Sequence, residues 1–234
     1  MKYNILTVCN EDYAPFIKLF VNSMFELIDI SNVEKVFIFN TGLSQETINY
    51  LNSFPKIDIV KTDIHAGSSK IHDEGWKKNT YSKTKFLLET LEKTKFPTLM
   101  IDSDCIFVED FEDLLDFQKD FSVCVRDRQG FSRYIGSFFA ALNVEKSIDF
   151  LKKWIVNIDV LQRTTKMKHC ESPALVKTVD ETDFQVLEIE EQIISAVFPD
   201  DSSKIIHLKS DYYAITIEQR LNLKHAQPFV RRYL

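Results

Sequence analysis

Two carboxylates interrupt an apolar run in Thr98-Leu-Met-Ile-Asp-Ser-Asp-Cys-Ile-Phe-Val108. Asp102 and Asp104 are two residues apart, so both side chains point to the same side if the strand continues through them. Carboxylates held about 5–7 Å apart and flanked by apolar strand do not both stay ionised without a compensating cation. A hard divalent ion such as Mg²⁺ or Mn²⁺ supplies that charge and bridges to phosphate oxygens. The alternative is an inert, solvated turn between two strands.

The segments before this run alternate between strand and helix patterns. Compact apolar runs of strand length occur at Tyr3–Cys9, Val33–Phe39, Ile57–Lys61 and Pro97–Ile101. Helical patterns cover Phe16–Leu27, Ser44–Phe54 and Thr80–Glu92, whereas Thr62–Asn79 is polar and predicts a loop. The order β-α-β-α-β-loop-α-β predicts an α/β fold with a mainly parallel central sheet flanked by helices. Open sheets of this kind bind ligands at the carboxyl ends of their strands, which is where Asp102 lies.

The second half of the chain is less regular. Strands are predicted at Phe121–Arg126, Gly136–Asn143 and Lys204–Leu208, and helices at Lys146–Asp159 and Glu188–Phe198. The stretch Leu161–Leu187 shows no clear period, and the last 24 residues are predicted to be irregular. No linker or repeat separates these segments, so a single domain is expected.

Composition excludes several classes of protein. The chain has 234 residues, a formal charge of −6 and only 5 glycines, which are too far apart for a dinucleotide fingerprint, a P-loop or a hydrolase nucleophile elbow. No run approaches the ~20 apolar residues of a membrane helix. The acidic balance argues against nucleic-acid binding, which needs a basic face.

The four cysteines form no CxxC pair, and most of them lie in apolar runs. Buried free thiols in a reducing compartment are therefore expected. The start, MKYNILTVCNEDY, has no small-residue cleavage site after its apolar run, so no signal peptide is predicted. These observations together favour a soluble protein of the cytoplasm.

The order of segments and motifs resembles the GT-A-fold glycosyltransferases, particularly the family-8-like and related nucleotide-diphospho-sugar transferases. The likeness extends over most of the chain rather than resting on one motif. The matching stretches are Ile5–Tyr13, Tyr81–Leu88, Asp102-Ser-Asp104, Phe111–Leu115, Gly136–Asn143, Glu191-Gln192 and Ile205–Leu208. Two departures stand out. Ile135 replaces the family's Asn-Ser before Gly136, and the segment after His207 lacks the family's Gly and Pro-Trp.

The resemblance implies transfer of a sugar from a nucleotide-diphosphate donor, most often a UDP-sugar, to a hydroxyl of a carbohydrate or lipid-linked acceptor. The implied cofactor is Mn²⁺ or Mg²⁺, with Asp102, Asp104 and His207 as ligands. The implied donor contacts are Thr7, Asn10, Tyr13, Asn40, Lys83, Asp102, Ser103 and Gly136. The implied catalytic residues are Asp102, Asp104, Glu191 and Gln192. Residues 1–105 would then form a nucleotide-binding half, residues 106–210 a donor-sugar and acceptor half, and residues 211–234 a tail.

Several of these residues have a second interpretation. Tyr13 can stack on a nucleobase or cap the following helix, and Asn40 can bond the nucleoside or close a turn. Lys83 lies near the predicted start of a helix, where anions are favoured, but lysines there are commonly solvated. His207 is either a metal ligand or a strand-end histidine with a structural hydrogen bond. The Gln192 amide offers both a donor and an acceptor for a sugar hydroxyl.

Two other functions compete with the transferase. Ile101-Asp-Ser-Asp-Cys105 also resembles the hhDxDx motif of haloacid-dehalogenase-like phosphatases, although that motif belongs near the start of the chain. The second competitor is a degenerate module that binds sugars or nucleotides without turnover. The tail from Asp211 to Leu234 combines basic and aromatic residues, so it either contacts an anionic membrane peripherally at its inner face or packs back on the domain.

Overall fold

A seven-stranded sheet forms the centre of the computed structural model. The structure describes residues 1–64, 74–127, 129–167, 169–209 and 216–234, without the side chains of residues 74–76. The strands are β1 (Tyr3–Cys9), β2 (Val33–Asn40), β3 (Ile57–Lys61), β4 (Thr98–Ile101), β5 (Cys105–Phe107), β6 (Phe121–Val125), β7 (Tyr134–Ala141), β8 (Val186–Glu190) and β9 (Ile205–His207). The helices are α1 (Ala14–Leu27), α2 (Gln45–Leu51), α3 (Glu74–Thr94), α4 (Val144–Thr164), α5 (Glu171–Asp180), α6 (Glu191–Ile194), α7 (Ile217–Leu221) and α8 (Gln227–Tyr233).

The strand order of the large sheet is β3-β2-β1-β4-β7-β6-β8. Strands β3, β2, β1 and β4 are parallel, β7 runs antiparallel to both β4 and β6, and β8 is parallel to β6. Strands β5 and β9 form a separate antiparallel pair. The predicted α/β fold with a mainly parallel sheet and flanking helices is therefore confirmed.

Both faces of the sheet are covered, and alternate residues of β1 serve the two cores. Ile5 and Cys9 pack with α1 on one face, while Leu6 packs on the other with residues of α3, α4 and α5. This alternation follows from the two-residue period of a strand. Because both faces are buried, β1 is apolar along most of its length.

The sheet reverses its strand order between β1 and β4. Strand β2 lies on one side of β1, and β4 lies on the other side. The chain therefore leaves the carboxyl end of β1 and the carboxyl end of β4 in opposite directions. Ligands of open α/β sheets bind in the crevice that such a reversal creates. In this chain the crevice lies between Asn10, after β1, and Asp102, after β4.

Two segments predicted to be irregular contain helices. Helix α3 begins at Glu74 rather than at Thr80, although residues 74–79 lack apolar periodicity and include Gly75, a poor helix former, so their sequence gave no sign of this first part of the helix. The rest of the predicted loop includes residues 65–73, which lie outside the described residues. Within Leu161–Leu187, α5 was missed because it is buried almost all round, with Pro173–Val176 all buried, and so it shows no amphipathic period.

Two further predictions are wrong in the last third of the chain. The helix expected over Glu188–Phe198 is instead strand β8 followed by the four-residue helix α6, because Val186–Glu190 pairs with β6. The tail was predicted to be irregular, yet it contains α7 and α8. Helix α8 packs on α1, where the Tyr233 hydroxyl donates to Glu26 Oε2 at 2.5 Å.

All four cysteines are free and buried, as predicted. Among the described residues, no helix combines the length and apolar character needed to span a membrane.

Asp120 joins the far edge of the sheet to helix α4. Its side chain is buried, Oδ2 accepts from Gln185 N at 2.8 Å, and Oδ1 pairs with Lys146 Nζ at 2.9 Å. Its carbonyl oxygen also accepts from the amides of Leu142 and Asn143. One aspartate therefore fixes the turn into β8 and the start of α4.

We predict that Asp120→Ala lowers the free energy of unfolding by about 2–3 kcal/mol, because it leaves the Gln185 amide without its charged acceptor. Urea denaturation followed by circular dichroism measures the change. The matched control is Asp149→Ala, an exposed aspartate on α4, which should change stability by less than about 0.5 kcal/mol. Equal effects of the two substitutions would contradict this role for Asp120.

Candidate functional site

A cavity of about 450 Å³ opens at the carboxyl ends of β1 and β4. Thr7, Asn10 and Tyr13 line it from β1 and the residues that follow, and Ser103 lines it from the turn after β4. The remaining polar lining includes Lys83, Asp102, Asp104, Gly136, Glu171 and His207. The structure therefore brings together most of the residues that the sequence predicts for donor and metal binding.

The two aspartates lie in a turn and not in a continuous strand. Cys105 N donates to Asp102 O at 3.1 Å, and Asp102 N donates to Ser137 O at 2.9 Å. The turn separates β4 from β5, so the strand does not continue through the pair, but the turn is not solvated as the alternative had it, because Asp104 is buried. The carboxylates nevertheless converge, because Asp102 Oδ2 is 3.9 Å and Asp104 Oδ1 is 3.2 Å from the same atom, His207 Nε2.

Lys83 is a buried cation between two carboxylates. Its Nζ donates to Asp102 Oδ1 and to Gly136 O, both at 2.8 Å, and lies 2.9 Å from Glu171 Oε1. Burial alone would lower the pKa of Lys83, but the charges of Asp102 and Glu171 outweigh it and hold that pKa above its ordinary value. The interpretation of Lys83 as a solvated lysine is therefore wrong.

Glu171 is a site residue that the sequence marks only as one of an acidic group with Asp180, Asp183, Glu190 and Glu191, in which most members are expected to be surface charges and one could act as a general base. It begins α5, is 5% exposed, and burial raises the pKa of its carboxyl group, an effect that the charge of Lys83 only partly offsets. A Cβ atom at position 136 would lie 2.4 Å from Glu171 Oε1, so Gly136 makes room for this carboxylate. Glu171 lies in the aperiodic stretch Leu161–Leu187, where no sequence pattern distinguished it from the other acidic residues.

Asp104 is paired with two basic side chains. His207 Nε2 lies 3.2 Å from Oδ1, and Arg220 donates through a terminal nitrogen to Oδ2. Burial would raise the pKa of Asp104, but His207 and Arg220 hold that pKa well below its ordinary range. The Asp104 carboxylate therefore stays ionised although it is buried.

A chain of hydroxyl groups orients His207. Its Nδ1 lies 2.9 Å from Ser195 Oγ, which lies 2.7 Å from Ser137 Oγ. The pairing of Cys105 with His207 between β5 and β9 places the ring beside the aspartates. With Nδ1 fixed on Ser195, Nε2 faces the two carboxylates, as an imidazole metal ligand requires.

The residues present fit a divalent cation. Asp102 and Asp104 each use one oxygen on a protein cation and keep the other facing His207 Nε2. Asp104, Cys105 and His207 also offer ligand atoms that all lie within 4.8 Å of one another. Two carboxylate oxygens and an imidazole suit Mn²⁺ or Mg²⁺, and the imidazole favours Mn²⁺.

Arg220, from α7, is a site residue that the sequence analysis missed. Its terminal nitrogen donates to the Tyr13 hydroxyl at 3.2 Å, and its guanidinium lies 4.2 Å from the Phe16 ring centroid. Burial, with the charge of Asp104, raises the pKa of Tyr13 to about 12. Tyr13 therefore contacts the tail and lines the cavity at once. It also occupies the N-cap position of α1, where its ring centroid lies 5.3 Å from that of Phe16 and its side chain makes no hydrogen bond to the helix.

Three predicted residues lie outside the cavity lining. The Asn40 side chain accepts from the amides of Gly42 and Leu43, so it closes the turn after β2. Gln192 donates to Phe198 O at 2.9 Å, away from the aspartates. Glu191 accepts from Arg126 Nε, at 3.0 Å to each carboxylate oxygen.

Arg126 and Lys209 add positive charge to the lining of the cavity. Burial lowers the pKa of Lys209, and the charge of Arg126 lowers it further. Arg126 donates to Glu191 through Nε. In the described part of the chain, no hydrogen-bond acceptor contacts its terminal nitrogens. This part of the lining is suited to an anionic ligand.

No family model matches the sequence, and no curated protein matches it significantly. The fold is similar to solved glycosyltransferases. Galactosyltransferase LgtC, in complex with donor and acceptor sugar analogues, is 10% identical with a TM-score of 0.67 over 98% of this chain and 96% of that chain. An active-site mutant of LgtC gives a TM-score of 0.68 at 11% identity, over 97% and 94%.

The apo structure of the bifunctional glycosyltransferase WbbM gives a TM-score of 0.62 at 13% identity and covers 99% of this chain. The match covers 51% of WbbM, so this chain corresponds to about half of that protein. The chain therefore has the GT-A-like fold of these enzymes, and the resemblance found in the sequence is confirmed for the fold.

We predict that Lys83→Met lowers the free energy of unfolding by about 3–5 kcal/mol, because it leaves the buried Glu171 carboxylate without its cation. Adding Glu171→Gln to that variant should restore part of the loss, since the uncompensated charge is then gone. Lys85→Met, at an exposed position of the same helix, is the control and should cost less than about 0.5 kcal/mol. Chemical denaturation of all variants tests this, and additive losses in the double variant would contradict the pairing.

Proposed function

We propose that the protein is a metal-dependent glycosyltransferase that moves a sugar from a nucleotide-diphosphate donor to an acceptor hydroxyl. One observation carries the proposal. Asp102 and Asp104 each keep one oxygen facing His207 Nε2 inside a cavity of about 450 Å³. This cavity lies where the strand order of the GT-A-like sheet reverses, between β1 and β4. Carboxylates placed in this way suit a cation that binds the diphosphate of a donor.

Asp102, Asp104 and His207 would hold Mn²⁺ or Mg²⁺. When bound, the ion supplies Lewis-acid neutralisation of the charge that develops on the departing diphosphate. Lys83 holds Asp102 in place through Oδ1, and Ser195 holds the His207 ring through Nδ1. These contacts preorganise the ligands, so little reorientation is needed when the donor arrives.

The nucleotide would bind on the β1 side of the cavity. Thr7 Oγ1 and Asn79 Oδ1 are buried in the lining and have no hydrogen-bond partner among the described residues. Buried polar atoms are rarely left unsatisfied in a folded protein, so these two indicate a polar ligand. The Tyr13 ring and the Asn10 side chain complete this side, as the resemblance implies, and a uridine nucleotide is our first candidate.

Glu171 is our candidate for the carboxylate nearest the reacting sugar. It lines the cavity beside Lys83 and Gly136, and burial raises its pKa. A carboxylate at this position stabilises the oxocarbenium-like state of sugar transfer or takes the proton of the acceptor hydroxyl. Gln192 and Glu191 were assigned this part of the site from sequence, but neither of them lines the cavity, whereas Glu171 does.

The acceptor would enter over the turn at Gly130–Ser132. Phe131 and Ser132 of this turn line the cavity, and the Phe131 side chain is 55% exposed. Carbohydrate rings pack on aromatic side chains, so a sugar or lipid-linked sugar is the acceptor class that we propose. Four buried free thiols accord with a reducing compartment such as the cytoplasm.

We predict that Asp102→Asn and Asp104→Asn each lower transfer by ~10²-fold or more, because each removes charge that the cation needs. The measurement is release of free nucleotide from a panel of nucleotide sugars with Mn²⁺ and mixed acceptors. Asp201→Asn, at an exposed position remote from the cavity, is the matched control and should keep wild-type turnover.

The same assay separates the competing functions. Free nucleotide indicates a transferase, free phosphate indicates a phosphatase, and binding without turnover indicates a degenerate module. Near-wild-type turnover in both folded aspartate variants would contradict the proposed metal site.

A further inference from the structure

Arg220 occupies a position that the proposed reaction does not explain. It is 3% exposed, and its Nε donates to the carbonyl oxygen of Leu208. Its terminal nitrogens reach Tyr13 and Asp104, and its guanidinium lies over the rings of Phe16 and Tyr13. An arginine with this many fixed contacts is a permanent part of the site rather than a solvated surface charge.

The contacts of Arg220 alter the charge balance of the aspartates. Asp102 is paired with Lys83, and Asp104 is paired with Arg220. Lys83 is shared between Asp102 and Glu171, so three carboxylates already face two positive charges before any divalent cation binds, and Arg220 is the cation that neutralises Asp104. A cation that enters between Asp102 and Asp104 adds two positive charges close to Arg220, and at low dielectric such repulsion is strong.

We propose that Arg220 sets the cation affinity of this site, so that a divalent cation binds the free protein weakly and binds tightly only together with a diphosphate. The diphosphate supplies the negative charge that balances both the cation and Arg220. The role of the diphosphate rests on the proposed function, whereas the effect of Arg220 on the cation does not. Arg220 acts through Asp104 and is therefore a positioning residue.

The location of Arg220 links cation binding to the tail. Helix α7 begins with a capping box in which Thr216 and Gln219 satisfy each other's backbone amides. The capping box stabilises the start of the helix, and Arg220 projects from it to Asp104. The C-terminal segment therefore contributes to the affinity of a site whose ligands all come from earlier parts of the chain.

The test is titration of the full chain with Mn²⁺ alone, followed by isothermal calorimetry. Arg220→Gln and Arg220→Leu remove the charge, Arg220→Lys keeps it, and Arg232→Gln removes an exposed cation of the same tail as a control. We expect the neutral variants to bind Mn²⁺ at least tenfold more tightly than the wild type. Arg220→Lys and Arg232→Gln should stay within about threefold of the wild type.

A second titration in the presence of UDP should reduce the difference, because the diphosphate offsets the charge of Arg220 in the wild type. Unchanged or weaker Mn²⁺ binding by the folded neutral variants would overturn the proposal. Failure of both neutral variants to fold would also overturn it, since Arg220 would then be a structural residue. Neither result depends on sugar transfer, so this inference and the transferase proposal can fail separately.

Discussion

Three carboxylates that meet in the cavity beyond β4, two of them buried and the third, Asp102, partly buried, constrain the rest of this structure. Asp102, Asp104 and Glu171 lie within one cavity, and a buried carboxylate without a partner costs several kcal/mol. Lys83 reaches two of them from α3, and Arg220 reaches the third from α7. Segments that are far apart in the sequence are therefore joined by charge as well as by apolar packing. The same arrangement leaves one oxygen of each aspartate directed at His207, and this is the basis of the proposed metal site.

The first half of the fold could be predicted because its apolar residues recur at the spacings typical of strands and helices. Strand β1 lies where the apolar run predicted it, at Tyr3–Cys9, since runs and periods of apolar residues report on burial. The second half could not be predicted in this way. Helix α5 is buried on nearly all sides. Strand β8 owes its conformation to pairing with β6, in which Val186 lies beside Phe121, 65 residues earlier in the chain. Long-range packing of this kind overrides local pattern.

The candidate site was predictable only where a short motif marked it. Asp102-Ser-Asp104 stands out in an apolar run, and the likeness of its neighbours to known transferases identified Lys83, Gly136 and His207. Glu171 and Arg220 carry no such mark, because each becomes significant only through a partner distant in sequence. Gln192 shows the opposite case, since this motif-like position bonds Phe198 O and does not line the cavity. The division of the chain at residues 105 and 210 stays a prediction.

The central claim is that Asp102, Asp104 and His207 hold a divalent cation that binds a nucleotide diphosphate. Anomalous diffraction at the manganese edge, from crystals grown with Mn²⁺ and UDP, tests it most directly. The account predicts one strong peak bounded by Asp102 Oδ2, Asp104 Oδ1 and His207 Nε2, with a phosphate oxygen of UDP in contact with it. Electron density for UDP in the cavity without that peak, or a manganese peak elsewhere in the molecule, would contradict the account.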